Sequence, residues 1–352
     1  METLVRYVGC LLGVAIGDAL GYPVEFQRHG PFIVSGMTSP WYSDDTQMTL
    51  ATTEGLIKSK ETGTPTAEVY REYLRWLDSQ SDPSQRRAPG GTCISALSSG
   101  QMGTVENKLN DSKGCGGVMR TAPAGLACLP KAAFRYGVEF AAITHGHPSG
   151  YLSAGFLSEL ISRLSLEQSL SESIDGARAT LVGYEGHEET LEKVDQARGL
   201  ALEKASAERA IAMIGGGWVG EEALGIAVFC ALRFCDNWKA GVLAAVNHGG
   251  DSDSTGSIAG AILGTLLGVQ AIPPRWVEEV ESSHYLKSIA TRLHDCFSEA
   301  RIAAVRRVSF YPKTINCPSC GKRLNVPRQG EFACPVCRVG ISFDREGKVA
   351  LV

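Results

Sequence analysis

"VNHGGDSDSTGSIAGAILGTLLG", residues 246–268, joins an acidic start to a run with one glycine at every fourth position. Gly256, Gly260, Gly264 and Gly268 share one helical face at that spacing. Residues 5–20 repeat the design, with Gly9, Gly13, Gly17 and Gly21. Two such faces can approach backbone to backbone. Small-residue stripes are familiar in membranes, but these stretches are too short and too polar at their ends for that role. The pairing serves packing alone, or it brings the residues at the helix ends together.

Around this pair the chain reads as helical. Residues 45–59 begin after "YSDD", a good N-cap sequence. Residues 66–78 carry Val69, Tyr73, Leu74 and Leu77 at helical intervals. Residues 151–165, 189–213, 221–236 and 238–246 are also helix-like. Alternating strand patterns are nearly absent before residue 300, so the expectation is an all-α fold. Polar, glycine-rich loops at 27–44, 81–93, 110–124 and 144–150 are where such a fold places chemistry. Gly249 and Gly250 are expected to let the chain turn sharply into the acidic start.

The 352 residues suffice for one large or two modest domains. A net charge of −4 excludes polyanion binding by bulk electrostatics. Residues 301–352, however, hold 10 Lys+Arg against 3 Asp+Glu, which marks the tail as a separate module. Eleven cysteines without a regular framework argue against a disulfide-stapled secreted protein. The apolar stretch after Arg6 could pass for a signal peptide, but it is short, ends in Asp18 and continues the glycine spacing. No run of about 18 apolar residues is apparent. No membrane span and a cytoplasmic location are therefore expected.

The tail contains "CPSCGKRLNVPRQGEFACPVC", with Cys317, Cys320, Cys334 and Cys337 in two Cys-x-x-Cys knuckles. Four thiolates at this spacing predict one structural Zn²⁺ in a small β-rich zinc ribbon. Such a module folds on its metal rather than on a core. Its basic charge suits an acidic partner, protein or nucleic acid, and a purely structural or docking role suits it equally. The expected domains are 1–304, a linker at 305–315 and the ribbon at 316–352.

Three carboxylate groups stand out earlier: Glu25; Asp44 with Asp45, flanked by Ser43; and Asp251 with Asp253, flanked by Ser254. The last two groups sit where helices begin, and carboxylates there can cap free N–H groups. Capping explains one aspartate per helix, not two with adjacent hydroxyls. If the three groups converge, hard divalent cations would relieve their repulsion, since such ions prefer oxygen ligands. No histidine cluster accompanies them, which disfavours zinc or copper. Two Mg²⁺ or Mn²⁺ ions suit the inventory. The stretch Gly114, Cys115, Gly116, Gly117, Val118, Met119 is a glycine-rich loop able to offer backbone N–H groups to phosphate or ribose oxygens, or simply a tight turn. His145 is a structural histidine or a hydrogen-bond donor to an anionic or ribose group.

Taken in order, "GCLLGVAIGDALGYPVEF", "SDDTQMT", "GCGGVMRTAP", "THGHPSGY", "GWVGEEALGIAV" and "NHGGDSDSTGSIAGAILG" resemble the ADP-ribosylglycohydrolase family. The resemblance spans about residues 5–270. It implies a compact orthogonal helical bundle with a binuclear magnesium site, sometimes manganese. It implies hydrolysis of the bond joining ADP-ribose to an acceptor, best an arginine of a protein. Ser43, Asp44, Asp45, Asp251, Asp253 and Ser254 would be the metal ligands, with Glu25 near the metals. The loop Gly114–Met119 would hold the diphosphate and ribose, and His145 would line the distal cleft. Asp45, Asp253 or Glu25 would activate water for attack at C1″, through an oxocarbenium-like state. Three departures stand out. The family often has threonine where Ser43, Ser252 and Ser254 stand, Cys115 replaces a small polar residue, and the ribbon lies outside the family core. Competing readings are a magnesium-dependent phosphohydrolase, a hydrolase of serine- or nucleic-acid-linked ADP-ribose, and an ADP-ribose-binding relative with weak or no catalysis.

Overall fold

Helices α1 (Glu2–Gly21) and α13 (Ser252–Leu267) pack with their glycine faces together. A β-carbon placed on Gly13 would lie 2.1 Å from the Gly260 carbonyl oxygen, and one on Gly17 would lie 2.0 Å from that of Gly256. Gly9 meets Gly264 in the same way, and Gly21 meets the Ser252 carbonyl. The order of these pairs makes the helices antiparallel, so the end of α1 adjoins the start of α13. Gly268 departs from the expected stripe. It closes α13 with φ +78, a left-handed cap position that glycine favours.

The computed structural model describes residues 2–26, 34–203, 205–309, 313–326, 330–343 and 349–351. Between α1 and α13 run α2 (Asp44–Thr62), α3 (Pro65–Ser79), α4 (Gly91–Ser98), α5 (Ala122–Ala127), α6 (Pro130–Ala142), α7 (Pro148–Ser165), α8 (Leu170–Leu181), α9 (Glu188–Leu202), α10 (Ala207–Ile214), α11 (Gly220–Arg233) and α12 (Trp238–Val246). They are followed by α14 (Pro274–Glu279) and α15 (Ser283–Ser309). The fold is all-α, as expected, with a small antiparallel sheet region in the tail. The single helix expected over 189–213 is two helices. Glu203 ends the first backbone run, and Ser206 caps α10 by accepting from Arg209 N.

The chain divides into two units, Met1–Ser298 and Glu299–Val352. In the first, α1, α7, α11 and α13 are buried along most of their length and form the centre of the core. Thr3–Val24 is in fact long and apolar enough to cross a membrane by length and composition, contrary to the sequence reading. Yet 78% of its apolar window is buried inside the protein, as in the core helix of a soluble fold.

In the second unit β1 (Lys313–Asn316) pairs antiparallel with β2 (Arg323–Val326), placing Asn316 opposite Arg323. Strands β3 (Gly330–Ala333), β4 (Gly340–Phe343) and β5 (Val349–Leu351) form a three-stranded antiparallel sheet in that order. The stretch expected as a linker is structured at both ends. Residues 305–309 finish α15 and residues 313–315 begin β1. Residues 310–312 of that stretch lie outside the described residues.

Candidate active site

The antiparallel glycine pair sets Glu25, one 3-10 turn beyond α1, against the start of α13. One carboxylate oxygen each from Glu25, Asp251 and Asp253 lie within 4.8 Å of one another. Asp251 is the N-cap of α13 and accepts from Ser254 N at 3.3 Å. Asp253 accepts from the same N–H at 3.0 Å. Gly250 permits this placement by close approach, not by a left-handed turn. A β-carbon there would lie 1.8 Å from the Gly216 carbonyl oxygen, and that same oxygen accepts from Asp251 N at 2.8 Å. Gly249 has open space around it.

Helix α2 brings the second acidic group to the same place. Ser43 is its N-cap, accepting from Asp45 N at 3.3 Å, and its hydroxyl donates to Asp45 Oδ2 at 3.5 Å. Asp45 accepts from Ser257 of α13 at 2.9 Å, which ties the two helix starts together. Asp44 accepts from Gly90 N at 3.1 Å, so the 81–93 loop holds it. Capping and convergence therefore occur together: the same residues do both.

All five carboxyls are buried, with Glu25 the most open at 9% exposure. Burial, then the charges of Asp253 and Asp251, push the Glu25 carboxyl up to about 10. Burial and neighbouring aspartates hold Asp44, Asp45 and Asp251 well above the usual carboxylate range, and burial raises Asp253. None of the five forms an ion pair with Lys or Arg among the described residues. Glu25 Oε2 is buried without a hydrogen-bond partner among them. A dense, uncompensated set of hard oxygen donors with an orphaned buried oxygen fits divalent cations.

Sequence reasoning missed Asp18. It is fully buried in α1 and accepts from Ser43 N at 2.8 Å, Thr46 N at 3.0 Å and Thr46 Oγ1 at 2.6 Å. Burial and the Asp253 charge raise it to about 7. The signal was present, since an acid inside an otherwise apolar helix requires partners. Asp18→Ala leaves two buried N–H groups and a hydroxyl unpaired. It should cost about 3 kcal/mol or more in urea denaturation and weaken divalent-ion binding in the same preparation.

The glycine loop borders the centre on the α13 side. Cys115 Sγ donates to Asp251 Oδ2 at 2.8 Å and lies 3.6 Å from Ser254 Oγ. Gly114, Cys115 and Gly116 are partly exposed, whereas Gly117, Val118 and Met119 are buried. The side chains of Val118 and Met119 thus belong to the core, and Met119 Sδ lies 3.9 Å from Ser254 Oγ. His145 is buried directly beneath the loop. On the α2 side a cavity of about 720 Å³ opens beside Tyr22, Trp41 and Arg87. There the Arg87 guanidinium pairs with Glu281 at 2.8 and 3.1 Å and stacks on Trp41.

In the tail, Cys317 and Cys337 Sγ are 3.6 Å apart, and Cys320 and Cys334 Sγ are 3.8 Å apart. All four sulfurs lie within 4.8 Å of one another, and none is in a disulfide. Sulfurs at about 2.3 Å from one tetrahedral ion stand about 3.8 Å apart. Backbone N–H groups within the second knuckle, that of Cys337 foremost, hold the Cys334 thiol down to about 6, whereas, against the Lys322 backbone N–H, desolvation and the neighbouring thiols push Cys320 up to about 12.

The profile of the ADP-ribosylglycohydrolase family matches residues 1–302. Residues 314–352 match a domain of unknown function, DUF8512. An ADP-ribosyl-dinitrogen reductase glycohydrolase of Rhodospirillum rubrum is 27% identical over 301 residues, spanning 78% of this chain and 90% of its own length. An ADP-ribosylarginine hydrolase of Pseudomonas putida is 24% identical over 319 residues, spanning 84% and 79% respectively. A solved structure described as an ADP-ribosylglycohydrolase-related protein complex superposes with a TM-score of 0.68 at 25% identity. It covers 84% of this chain and 99% of its own. With its helical unit matched almost end to end, the chain belongs to the ADP-ribosylglycohydrolase family of hydrolases.

Proposed function

We propose that this enzyme removes ADP-ribose from an acceptor, best an ADP-ribosylated arginine on a protein, using two divalent ions, Mg²⁺ or Mn²⁺. The observation that carries this reading is the convergence of Glu25, Ser43–Asp45 and Asp251–Ser254 at one place with no ion pair to Lys or Arg among the described residues. Ser43, Asp44, Asp45, Asp251, Asp253 and Ser254 would hold the ions. When bound, such ions offset the carboxylate charge and act as Lewis acids toward hydroxyl oxygens.

The residues themselves supply the rest. Glu25, with its orphaned oxygen, would serve as the base for a water molecule in its ionised form, which bound ions favour over the neutral form that burial imposes. That water oxygen forms the new bond to C1″ as the bond from C1″ to the acceptor nitrogen breaks. The proton taken from water is passed on, and the nitrogen leaves protonated. The N–H groups of Gly114 and Cys115 already donate to Ser112 Oγ and the Trp218 carbonyl, so in this reading it is the N–H groups of Gly116 and Gly117 that meet the diphosphate. The cavity beside Tyr22, Trp41 and Arg87 would give the acceptor protein room. The relative from Pseudomonas putida favours arginine as the acceptor by its name. No relative reported above is named for nucleic-acid binding, and the basic tail carries no such role in this reading.

The test is an acceptor panel. Full-length enzyme with Mg²⁺ is given arginine-linked, serine-linked and nucleotide-linked ADP-ribose, and free ADP-ribose and free phosphate are measured. Arginine-linked substrate should release ADP-ribose fastest. Release of phosphate instead would favour a phosphohydrolase, and binding without turnover would favour a non-catalytic relative.

For the tail we propose one structural Zn²⁺ on Cys317, Cys320, Cys334 and Cys337, which suits a reducing, cytoplasmic compartment. A strong chelator should release one zinc per chain and abolish the backbone amide dispersion of residues 313–351 in NMR spectra. Cys317→Ser should lower the zinc content towards zero. Retained dispersion after metal removal would count against a metal-dependent fold.

A further inference from the structure

Two buried residues beneath the glycine loop have a geometry that the reaction scheme leaves unused. Arg120 is fully buried, and its side chain meets no carboxylate among the described residues. Its Nη2 donates to Thr144 Oγ1 at 2.6 Å and to the Phe140 carbonyl at 3.1 Å. Its Nη1 lies 3.4 Å from both Met48 Sδ and Cys93 Sγ, and its guanidinium lies over the Tyr73 ring. Thr144 Oγ1 is in turn 2.8 Å from His145 Nδ1. The opposite edge of the imidazole faces the loop. Its Nε2 stands 3.4 and 3.3 Å from where β-carbons on Gly114 and Gly116 would sit.

The protons in this chain can be assigned. A guanidinium only donates, so Arg120 uses one lone pair of the Thr144 hydroxyl. The hydroxyl then gives its proton to a bare Nδ1, or accepts a second hydrogen bond from Nδ1–H. The positive charge one hydroxyl away decides between them. It favours a lone pair over an N–H on the near nitrogen, and it polarises the hydroxyl as a donor. Burial, reinforced by the Arg120 charge, pushes His145 down to about 3, so the ring is neutral and carries one proton. The tautomer of a neutral histidine follows from the bond its other nitrogen makes.

We infer that Arg120 and Thr144 are positioning residues that fix His145 as the Nε2–H tautomer and aim a neutral donor at the Gly114–Gly116 loop. The ligand group it fits is an acceptor oxygen, of a diphosphate or a ribose. Its role in binding rests on the proposal that this loop holds ADP-ribose; the tautomer does not. A small residue at Gly116 is favoured for the same reason, because a β-carbon there would stand 3.1 Å from His145 Cε1 and 3.3 Å from Nε2 and crowd the ring edge that carries the proton.

The experiment is a long-range ¹H–¹⁵N spectrum of the full chain with ¹⁵N-labelled histidine, without ligand. The His145 signals are identified by their loss in His145→Gln. We expect a protonated Nε2 and an unprotonated Nδ1, unchanged from about pH 5 to 8. An Nδ1–H tautomer, or titration within that range, overturns the inference. Thr144→Val keeps the shape and removes the hydroxyl. It should mix the tautomers and weaken ADP-ribose binding about tenfold, the loss expected for one hydrogen bond. His145→Gln, which can place an amide N–H near the Nε2 position, should keep most of the affinity, while His145→Phe should lose it. An altered tautomer in Thr144→Val with unchanged ADP-ribose affinity overturns the positioning role. Wild-type protein with the expected tautomer but no affinity for ADP-ribose overturns the substrate reading and leaves the tautomer assignment standing.

Discussion

Asp251→Ala should lower kcat/KM for Mg²⁺-dependent release of ADP-ribose by about a thousandfold or more, and Asp44→Ala should do the same. A thousandfold corresponds to about 4 kcal/mol of transition-state stabilisation, within what a bound divalent ion supplies to a hydrolytic reaction. Asp251 is at once the N-cap of α13, a member of the oxygen triad and the acceptor for Cys115. The alanine variant tests its role as ligand provided the helix start survives. Asp251→Asn separates the two roles. It retains a capping oxygen while removing the charge, so it should fold like the wild type and still bind the ions poorly. Activity near the wild-type level in Asp251→Asn or Asp44→Ala would remove the metal assignment.

Gly260→Ala should destabilise the helical unit by about 3 kcal/mol or more, at or above the usual range for overpacking. In an exposed helix the same change stabilises by about 1 kcal/mol. Here the new β-carbon would stand 2.0 Å from the Gly13 carbonyl oxygen, and a backbone atom cannot rotate aside. The helices must separate. Gly199 in α9 is the control, because it is exposed with nothing within 4 Å of an added β-carbon. Gly199→Ala should be neutral or stabilising in urea denaturation, giving the opposite sign for the same chemical change. Gly21→Ala should also weaken ion binding. Its β-carbon would meet the Ser252 carbonyl at 2.2 Å, where the end of α1 seats Asp251 and Asp253 against Glu25.

The glycine spacing made the central pair of helices legible, because only backbone contact explains glycine at every fourth position on two helices. The acidic motifs announced themselves by carrying more charge than capping needs. What brings them together was not legible in the motifs. Asp18 and Ser257 hold the starts of α2 and α13, and neither lies in an obvious cluster. Ser257 could have been found as the residue one turn beyond Asp253 on the same face. The break at 203–206 was signalled by Ser206, a good N-cap. Helix α15 went unread although Leu286, Ile289, Ala290 and Leu293 follow helical spacing and are buried. In the glycine loop, the whole run Gly114–Met119 was read as a ligand-facing loop or a tight turn, but Val118 and Met119 are apolar and turn into the core. The apolar stretch at the N-terminus is ambiguous by composition alone; its burial against α13 resolves it as a core helix.

The most direct test of the central claim is ADP-ribose release from an arginine-linked substrate, measured on one preparation of the full chain in EDTA and then with Mg²⁺ restored. Release that is absent in EDTA, returns with Mg²⁺ and stays absent in Asp251→Asn is the predicted result. Equal release in EDTA and in Mg²⁺ would contradict it.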